Sequence, residues 1–595
     1  MIQHRHAVAG EPVVINVLET EEDLDGFRDF IRGNLGVLGV DSETTGLDTY
    51  SENFRCRLVQ FGTAGQSWVV PVELGERFVG DVRSALLGID KLILHNASYD
   101  LQVFDRCFGI PMEDLWGKVV DTRILAHLVD PRAKDEGGIG HSLEELTRYY
   151  LDAEVADNVK TLMTDLAKAH KTTKANVWRK VDRSDPHYQL YSGMDPILAC
   201  RLYLKLKPLV PPQSSGLISY ERKLAEVCSI MERTGFLLDV EYSEKLSGEL
   251  KYTESLYNEI ALKYGCENVN STDQVADRLE DMGVKILGRT PSGKRKVDDD
   301  LLASLEGTEN WEFAQAVIEA KKAGKWRKTW VDTFLKQRDS ENRCHASINP
   351  LRARTARMSI TGIPAQTLPA GDWLIRRCFL ADPGHAVASI DYQAQELRVL
   401  AALSGDQTMI QAFRDGADLH QLTADAAGVD RKVGKMANFL KVYGGGAAKL
   451  SASADISFPA AKAVIDGFDR TYPGVQKLSQ KLQKEASQSG HVVTPTGRVL
   501  PVDETRAYSA LNYVIQSTSR DVTGRALIRL YEAGFGPYLR LVIHDEVLAS
   551  LPAERAEWGS QEIGRLMAMD MGAVHIGTEP EVGGRSWGSL YGSDY

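Results

Sequence analysis

The feature that most constrains this chain is a pair of adjacent acids inside an apolar, strand-like run. In "LRLVIHDEVLASLP", residues 539–552, Asp545 and Glu546 interrupt a series of Leu, Val and Ile. Removing an unpaired carboxylate from water is expensive, so a half-buried strand accepts such acids only beside a partner or a metal ion. The alternative is that both acids are turn residues at the tip of a hairpin. The first interpretation requires further acids elsewhere in the chain.

The chain is too long for a single hydrophobic core. Its 595 residues predict three or four domains. Strand-like runs alternate with helical stretches over the first 210 residues, which predicts an α/β domain whose first strand begins at about residue 36. The Pro/Ser/Gly-rich "KPLVPPQSSG", residues 207–216, indicates a linker and the first domain boundary.

The remaining residues predict an α+β arrangement. Residues 217–340 are mostly helical in pattern, and "YERKLAEVCSIMERTG" ends as a helix at Gly235. The strand "HAVASID" follows at 385–391, and a helical block runs from 394 to 490. A hairpin-like "HVVTPTGRVLP", another helix and the acidic strand pair complete the chain.

Composition indicates a soluble globular protein inside the cell. Apolar residues make up 43% and charged residues 26% of the chain. No apolar run is long enough to span a bilayer, and the first residues lack the apolar segment of a signal peptide, so an intracellular location without a membrane partner is expected. The seven scattered cysteines contain no CxxC pair, which favours reduced thiols and argues against a zinc knuckle.

The charge distribution says more than the net charge. A net charge of −12 speaks weakly against a nucleic-acid partner. However, "KKAGKWRK", residues 321–328, carries five positive charges and no acid. Such a run is either a solvated helix face or a surface that follows phosphates. Five arginines follow it: Arg352, Arg354, Arg357, Arg376 and Arg377.

Three polar signals occur in the α/β region. "GVDSETTGLD" places Asp41 and Glu43 on one face at the end of an apolar strand. Alone, each signal could be a polar strand end or a surface pair. Together, four carboxylates could hold two divalent cations about 3.5–4 Å apart for phosphodiester hydrolysis, with a tyrosine orienting the attacking water. The other two signals are "LILHNASYD", with Asn96, Tyr99 and Asp100, and "YSGMDPILACRLYL", with Tyr191 and Asp195 one helical turn apart.

This set resembles the DEDDy class of 3′→5′ exonucleases over about residues 35 to 205. The resemblance implies an RNase H-like fold in which Tyr191 orients the water. Asp121, also acidic at a strand end, is expected to be structural. By the resemblance, the metal ligands are Asp41, Glu43, Asp100 and Asp195. The contacts to the frayed 3′ end are Leu47, Asn96 and Tyr99.

A second constellation supplies the partners that the opening run requires. Asp391 ends the strand "ASID" and could pair with Asp545 across a sheet, sharing a metal. Every fourth residue of "RKVGKMANFLKVYGG", residues 431–445, is a cation or an aromatic, which gives one stripe on an α-helix. The stripe suits a triphosphate at one end and a stacked base at the other, but solvated cations beside buried aromatics fit it as well. Its members are Arg431, Lys435, Phe439 and Tyr443.

These segments together resemble the Klenow-like family A DNA polymerases, from about residue 35 to the C-terminus. "DYQAQELRVLA" resembles motif A, "RKVGKMANFLKVYG" motif B and "HDE" motif C, and "TARMS" and "NYVIQST" are among the supporting matches. The resemblance implies an exonuclease domain followed by a right-hand polymerase. The expected domains are 1–210 exonuclease, 217–350 thumb and start of palm, 351–410 palm with motif A, 411–490 fingers with motif B, and 491–595 palm with motif C.

The resemblance assigns roles by matched position. Asp391 and Asp545 would bind two Mg²⁺ ions, helped by the Tyr392 carbonyl, while Glu546 supports the site. Lys435 would protonate the leaving group. The nucleotide-binding residues would be Arg431, Lys435, Phe439, Tyr443, Glu396, Gln395 and His420, with Glu396 excluding a ribose 2′-OH. The contacts to the DNA minor groove would be Arg357, Asn512, Gln516 and His544.

The implied function is template-directed DNA synthesis from dNTPs with 3′→5′ proofreading. Each active site would use two Mg²⁺ ions, with Mn²⁺ as the alternative. The expected partners of a monomer are primer-template DNA, dNTPs and replisome proteins, in the bacterial cytoplasm. Little chain precedes the exonuclease region and residues 217–350 lack a long insertion, so a phage replicative polymerase without a 5′-nuclease domain or a thioredoxin-type clamp is expected.

Four positions depart from the family pattern. Ala356 replaces a glycine, which predicts a less open backbone, and Gly434 replaces an alanine, which predicts a more mobile fingers helix. Tyr508 replaces an arginine, so a minor-groove contact would be lost. Phe439 replaces a tyrosine, which predicts poor use of dideoxynucleotides.

Three other classes of protein compete with this interpretation. A single-subunit RNA polymerase shares the palm, but Glu396, the "HDE" motif and the exonuclease set count against it. A DNA-binding scaffold without chemistry would tolerate the loss of acids, yet all seven expected carboxylates are present. A nuclease-dominated repair enzyme with a vestigial palm is disfavoured by the intact stripe.

Overall fold

A computed structural model describes residues 1–290 and 292–595 of the protein. The first 206 residues build one seven-stranded mixed sheet with helices on its faces. The strands are β1 (Ile2–Val8), β2 (Glu11–Val17), β3 (Leu38–Thr44), β4 (Cys56–Gly62), β5 (Gln66–Pro71), β6 (Leu92–Leu94) and β7 (Val119–Asp121). The helices are α1 (Leu24–Arg32), α2 (Glu76–Gly88), α3 (Ala97–Phe108), α4 (Met112–Trp116), α5 (Thr122–Val129), α6 (Leu143–Tyr150), α7 (Ala153–Ala169) and α8 (Pro186–Leu206).

The sheet brings the predicted acids to one end. The strand order is β1-β2-β5-β4-β3-β6-β7, with β3 antiparallel to β4 and parallel to β6. Helix α8 crosses β3, β4 and β5 so closely that a side chain at Gly39 would collide with the Pro196 carbonyl oxygen. Because of this close approach, the middle of α8 packs against β3. Asp195 on the helix is thereby brought near Asp41 and Glu43 on the strand.

The expectation that the first strand begins at about residue 36 is wrong. Strands β1 and β2 form an antiparallel hairpin at the N-terminus, and β2 pairs in parallel with β5. In β1, half-buried and exposed residues alternate strictly, so its pattern is that of an edge strand with one face on the protein. The hairpin extends the sheet beyond the region that the motifs mark.

The predicted linker at residues 207–216 is compact. It forms two short 3₁₀ turns, Lys207–Leu209 and Pro212–Ser214, because its prolines fix φ but donate no hydrogen bond. Helix α9 (Ser215–Thr234) follows and ends at Gly235, whose φ is +66°, as the sequence predicts.

The second half of the chain alternates small sheets with long helical segments. The helices are α10 (Val240–Lys263), α11 (Thr272–Asp281), α12 (Asp299–Ala303), α13 (Trp311–Lys325), α14 (Asp332–Gln337), α15 (Gln395–Ser404), α16 (Gln407–Arg414), α17 (Leu419–Ala427), α18 (Arg431–Val442), α19 (Ala447–Ala454), α20 (Phe458–Thr471), α21 (Pro473–Ser489), α22 (Ala510–Glu532) and α23 (Ala556–Met567). The strands are β8 (Phe236–Leu238), β9 (Arg343–Cys344), β10 (Ser347–Asn349), β11 (Ser359–Thr361), β12 (Phe379–Leu380), β13 (His385–Tyr392), β14 (His491–Val493), β15 (Val499–Pro501), β16 (Leu539–Ile543), β17 (Glu546–Pro552), β18 (Met569–Met571), β19 (Val574–Ile576) and β20 (Thr578–Val582).

A four-stranded antiparallel sheet in the order β16-β17-β13-β20 forms the floor of this half. The predicted helical block corresponds to α15–α21, and the predicted hairpin to β14 and β15. One large apolar core runs beneath the floor and joins α9, α15 and α22 to it. The sheet therefore has one buried face and one face on which acids can meet solvent.

The basic run is partly neutralised within the protein. Arg327 and Lys328 both bind Glu254 on α10, at 2.9 and 2.6 Å. Lys322 and Lys325 lie over the rings of Trp326 and Trp330. Within the described residues, no helix combines the length and the apolar character needed to cross a bilayer.

Candidate active sites

The α/β half holds a compact group of acids. Asp41 and Glu43 come from the end of β3, and Asp195 comes from α8. One carboxylate oxygen of each lies within 4.8 Å of the others, a spacing that could hold a metal ion. Asp100, in the first turn of α3, is buried beside them and accepts a hydrogen bond of 2.6 Å from Ser42 Oγ.

All eight residues predicted for the exonuclease site line one cleft of about 200 Å³. His95 and Trp178 also line it and were missed by sequence reasoning. The Trp178 ring lies 5.5 Å from that of Tyr191, which α8 carries, so the two aromatic rings pack together at the cleft. His95 could have been found from the sequence, because it directly precedes the predicted Asn96 in "LILHNASYD". No motif marked Trp178.

The residues predicted for the 3′ end lie at the mouth of this cleft. Leu47 is 80% exposed. The Tyr99 hydroxyl lies 2.6 Å from Thr44 Oγ1, and Arg123 donates to Asn96 Oδ1 at 2.9 Å. Asp121 accepts the backbone amides of Asn96, Ala97 and Arg123, so its carboxylate joins the starts of α3 and α5.

Burial and repulsion between neighbouring acids disfavour the ionised form of these carboxyls. Burial, and then repulsion from the neighbouring acids, raises the pKa of Asp41 and of Glu43 well above their ordinary values. Burial raises the pKa of Asp100 to about 7, and burial with repulsion from Asp100 raises the pKa of Asp195 to about 8. A divalent cation would relieve this repulsion, so the donor set fits a metal site.

A buried amide side chain beside the acids is also consistent with a hydrated ion or a polar ligand in this cleft. Gln60 on β4 is the register partner of Asp41 on β3, so the two side chains share a face. Gln60 is fully buried, and among the described residues neither its amide nitrogen nor its amide oxygen has a hydrogen-bond partner. Such orphaned groups are expected next to a hydrated ion or a ligand.

The raised pKa values predict how stability depends on pH without metal. In the unfolded chain these acids ionise at about pH 4, so between about pH 4 and 8 the folded protein binds more protons than the unfolded chain. Stability therefore falls as the pH rises through this window, and in EDTA we expect a lower melting temperature at about pH 8.5 than at about pH 6. Mg²⁺ at the higher pH should raise it again.

Differential scanning fluorimetry with EDTA or Mg²⁺ measures this effect. Asp195→Asn removes one of the strained carboxyls and should weaken the pH dependence. A melting temperature that is the same at both pH values in EDTA would contradict the electrostatic explanation.

The opening acids lie at a hairpin tip, as predicted, but their register differs from the expectation. Asp391 on β13 pairs with Glu546 on β17 and not with Asp545. Asp545 occupies the turn after His544, whose φ of +58° reverses the chain, and its carbonyl accepts the Tyr392 amide at 3.2 Å. Glu546 accepts a hydrogen bond of 2.5 Å from Ser389 Oγ. The alternation along each strand predicted which face each acid occupies, but it did not predict which strand residues pair.

Burial and neighbouring acids both act on the carboxyls of the palm. Desolvation, and then repulsion from Asp545 and Glu546, raises the pKa of Asp391 to about 7. Burial also raises the pKa of Asp545 and of Glu546. Asp391, Asp545 and Glu546 therefore form one acidic group at the hairpin tip, where a cation would relieve the repulsion on Asp391.

A cleft of about 440 Å³ opens beside the hairpin tip. Arg357 donates to Glu396 at 2.7 Å, and the Tyr443 hydroxyl donates to the other oxygen of that carboxylate at 3.3 Å. The predicted residues that line the cleft are Arg357, Gln395, Glu396, Phe439, Tyr443, Gln516, His544 and Asp545. The other predicted residues of this half lie outside its lining, and they include Asp391, Arg431, Lys435, His420 and Asn512.

Helix α18 presents the predicted stripe on one face. Arg431, Lys435 and Tyr443 are exposed and Phe439 is half-buried, while Val433 and Ala437 on the other side are buried. Arg431 pairs with Asp418 at 2.5 Å, a partner that sequence reasoning missed. The two cations of the stripe are therefore exposed, and its two aromatic residues line the cleft.

Several predicted contacts are occupied within the protein. The buried Gln395 amide donates to Thr523 Oγ1 at 2.9 Å, and Gln516 donates to Asn512 Oδ1 at 2.9 Å. The His420 ring hydrogen-bonds Asn438 at 2.9 Å and lies beside Phe439. Their roles toward nucleotide and DNA remain predictions.

The structure shows how Gly434 and Ala356 are packed. Gly434 is buried where α18 meets α17, and a Cβ there would collide with the His420 carbonyl oxygen, so the glycine permits close packing of the two helices. Ala356 is buried and has a φ of +63°. The more mobile fingers helix, the less open backbone at Ala356 and the lost DNA contact at the exposed Tyr508 stay predictions.

An acidic α/β cleft joined to an antiparallel palm, with a cationic and aromatic helix above it, defines a polymerase with an attached nuclease. Residues 240–589 match the model of DNA polymerase family A, and residues 17–211 match that of the 3′-5′ exonuclease. The chain belongs to the family A DNA polymerases and carries a 3′-5′ exonuclease domain. The resemblance and the fold class predicted from the sequence are thereby confirmed, and the RNA polymerase alternative is set aside.

The most similar relatives include phage proteins. The chain is 60% identical to the DNA polymerase of Mycobacterium phage L5 over 596 residues and 59% identical to that of Mycobacterium phage D29 over 610 residues, with 100% of each chain covered in both cases. It is 31% identical over 400 residues to the thermostable DNA polymerase I of Thermus aquaticus, covering 62% of this chain and 47% of that protein. A solved structure of the POL domain of Pol1 from M. smegmatis, in complex with DNA primer-template and dNTP, shares the fold with a TM-score of 0.74 and 24% identity, covering 96% of this chain and 99% of that one.

Proposed function

We propose that this protein copies a DNA template from dNTPs and trims mismatched primer 3′ ends, as the replicative polymerase of a phage genome. The observation that carries the proposal is that one chain holds two separate clefts, of about 200 and 440 Å³. All eight residues that the resemblance assigns to the exonuclease site line the first cleft, and eight of those that it assigns to the polymerase site, Asp545 among them, line the second. The names of the phage relatives support the phage role.

In the palm, Asp391 and Asp545 would hold two Mg²⁺ ions with the Tyr392 carbonyl. Bound there, the ions would lower the pKa of the primer 3′-OH and neutralise the leaving pyrophosphate. Arg431 and Lys435, exposed on the stripe, would bind the phosphates, and Lys435 would give its proton to the leaving group.

The base and sugar of the nucleotide would meet the other end of the cleft. Phe439 and Tyr443 would stack beside the base. Glu396, fixed by Arg357 and the Tyr443 hydroxyl, would occupy the position of a ribose 2′-OH and so select deoxynucleotides. Arg357, Asn512, Gln516 and His544 would contact the minor groove, where correct pairs present similar acceptors.

In the exonuclease cleft, the chain's own side chains would position the frayed strand. Asp41, Glu43, Asp100 and Asp195 would bind metal, which supplies an activated water and steadies the leaving oxygen. Tyr191, whose ring packs beside that of Trp178, would orient that water. Leu47, Asn96 and Tyr99 would separate and hold the terminal nucleotide.

The direct test uses a labelled primer-template with a 3′ mismatch and Mg²⁺, with or without the four dNTPs. We expect trimming without dNTPs and full-length extension with them. A parallel series with Mn²⁺ measures metal preference, and ribonucleotides measure sugar selection. Trimming without extension would favour the nuclease with a vestigial palm, and neither activity would favour the scaffold.

Two further expectations accompany this function. We propose that the protein acts as a monomer and that its domain boundaries follow those given by the sequence, with the exonuclease domain ending near residue 210. Sedimentation with and without primer-template DNA measures the first, and limited proteolysis around residues 207–216 measures the second.

A further inference from the structure

The exonuclease domain binds a loop of the polymerase half through polar and apolar contacts. This loop, residues 352–357, is closed by hydrogen bonds from the Arg352 and Ala353 amides to the Arg357 carbonyl, at 3.2 and 3.3 Å. Its turn depends on Ala356, whose φ is +63°. The loop is therefore closed on itself by its own hydrogen bonds. A displacement of Ala353 or Arg354 would be transmitted to Arg357 at its other end.

The side of the loop that faces the exonuclease domain is held by polar contacts. His127 on α5 donates its Nε2 hydrogen to the Ala353 carbonyl at 3.0 Å. The buried Arg354 donates to the Glu136 carbonyl at 3.2 Å, and its Nε lies 3.2 Å from the Glu136 carboxylate. Two exonuclease-domain residues thus fix two consecutive residues of the loop.

Apolar packing seals the same contact. Ile124 and Leu128 on α5 form one buried cluster with Leu351 and Ala356 of the loop region. The Arg354 guanidinium also donates to the Tyr513 hydroxyl on α22, at 3.0 Å. The Arg354 side chain and His127 are buried, so the hydrogen bonds that they donate resist displacement by water.

The other end of the loop presents Arg357 to the polymerase cleft. Arg357 binds Glu396, which in turn accepts the Tyr443 hydroxyl. Thr355 of the same loop donates to Gln516 on α22 at 3.2 Å. The loop therefore sets the position of several groups that line the cleft without itself needing to contact nucleotide.

We propose that Glu136 and His127 of the exonuclease domain are positioning residues for DNA synthesis, acting through the 352–357 loop on Arg357 and Glu396. This rests on the proposed function of the palm cleft. Loosening the loop would leave the metal-binding acids in place but misplace the groups around the nucleotide. The effect should therefore appear in the KM for dNTP more than in kcat.

The test compares Glu136→Ala with a matched interdomain variant, Glu113→Ala. Glu113 also joins the exonuclease domain to the polymerase half, through Arg233 at 2.5 Å, but it lies away from the loop. Single-nucleotide insertion on a matched primer-template gives kcat and KM, and trimming of single-stranded DNA reports the exonuclease. Glu136→Gln keeps the size of the side chain while removing its charge, so it provides a milder second variant.

We expect Glu136→Ala to raise the KM for dNTP by about 5-fold, Glu136→Gln to raise it less, and Glu113→Ala to change it by less than about 2-fold. Trimming should stay within about 2-fold of wild type in all three. An unchanged KM in Glu136→Ala, or an equal rise in Glu113→Ala, overturns the positioning role while wild-type extension keeps the proposed function. Failure of the wild-type protein to extend overturns both.

Discussion

Asp545→Asn is expected to abolish primer extension and to leave 3′ trimming intact. Asp545 lies at the hairpin tip beside Asp391 and Glu546, where burial raises its pKa, and the amide of asparagine cannot replace the charge that would neutralise a cation. Losing several kcal/mol of transition-state stabilisation, at ~1.4 kcal/mol for each factor of ten, predicts a fall in kcat of about 10³-fold or more. Rapid-quench extension of a matched primer measures it.

Two further variants serve as controls for Asp545→Asn. Asp41→Asn alters the other cleft and should give the reverse pattern, with trimming lost and extension kept. Asp570→Asn removes an exposed acid that pairs with His575 outside both acidic clefts, and extension should stay within about 2-fold of wild type. If Asp545→Asn abolished trimming as well, Asp545 would be a residue on which the fold depends and not a metal ligand.

Glu221→Gln is expected to lower the free energy of unfolding by about 3–5 kcal/mol, because it breaks a buried ionic network. Glu221 on α9 accepts hydrogen bonds from Arg498 at 2.6 Å and from Arg520 at 2.7 Å through both of its oxygens. Asp521 lies 2.9 and 3.0 Å from the same guanidinium groups, and all four side chains are buried. Without the Glu221 charge, two guanidiniums share a single carboxylate away from water.

Urea unfolding followed by two probes measures this change, because a chain with several domains need not unfold in one step. Glu485→Gln is the matched control, since Glu485 forms an exposed pair with Lys481 at 3.9 Å. That variant should lie within about 0.5 kcal/mol of wild type. A loss below about 1 kcal/mol in Glu221→Gln would show that water reaches the network.

Local chemistry was readable from single segments of the sequence. The acids at the ends of β3 and β13 and the stripe on α18 follow from periodicities of two and 3.6 residues, which fix the face of each side chain. The combination of motifs was sufficient to identify the family. The role of Gly434 could not be inferred in this way, because a glycine is needed there only to avoid the His420 carbonyl oxygen on a neighbouring helix.

The sequence by itself determined which residues carry chemistry and on which side of a strand or helix they lie. Only the tertiary structure decided their partners: Asp391 opposite Glu546, the N-terminal hairpin added to the sheet, and the grip of Glu136 and His127 on the 352–357 loop. The physical reason is that a side chain's face is set by its own backbone, whereas register and domain contacts depend on packing between segments far apart in the chain.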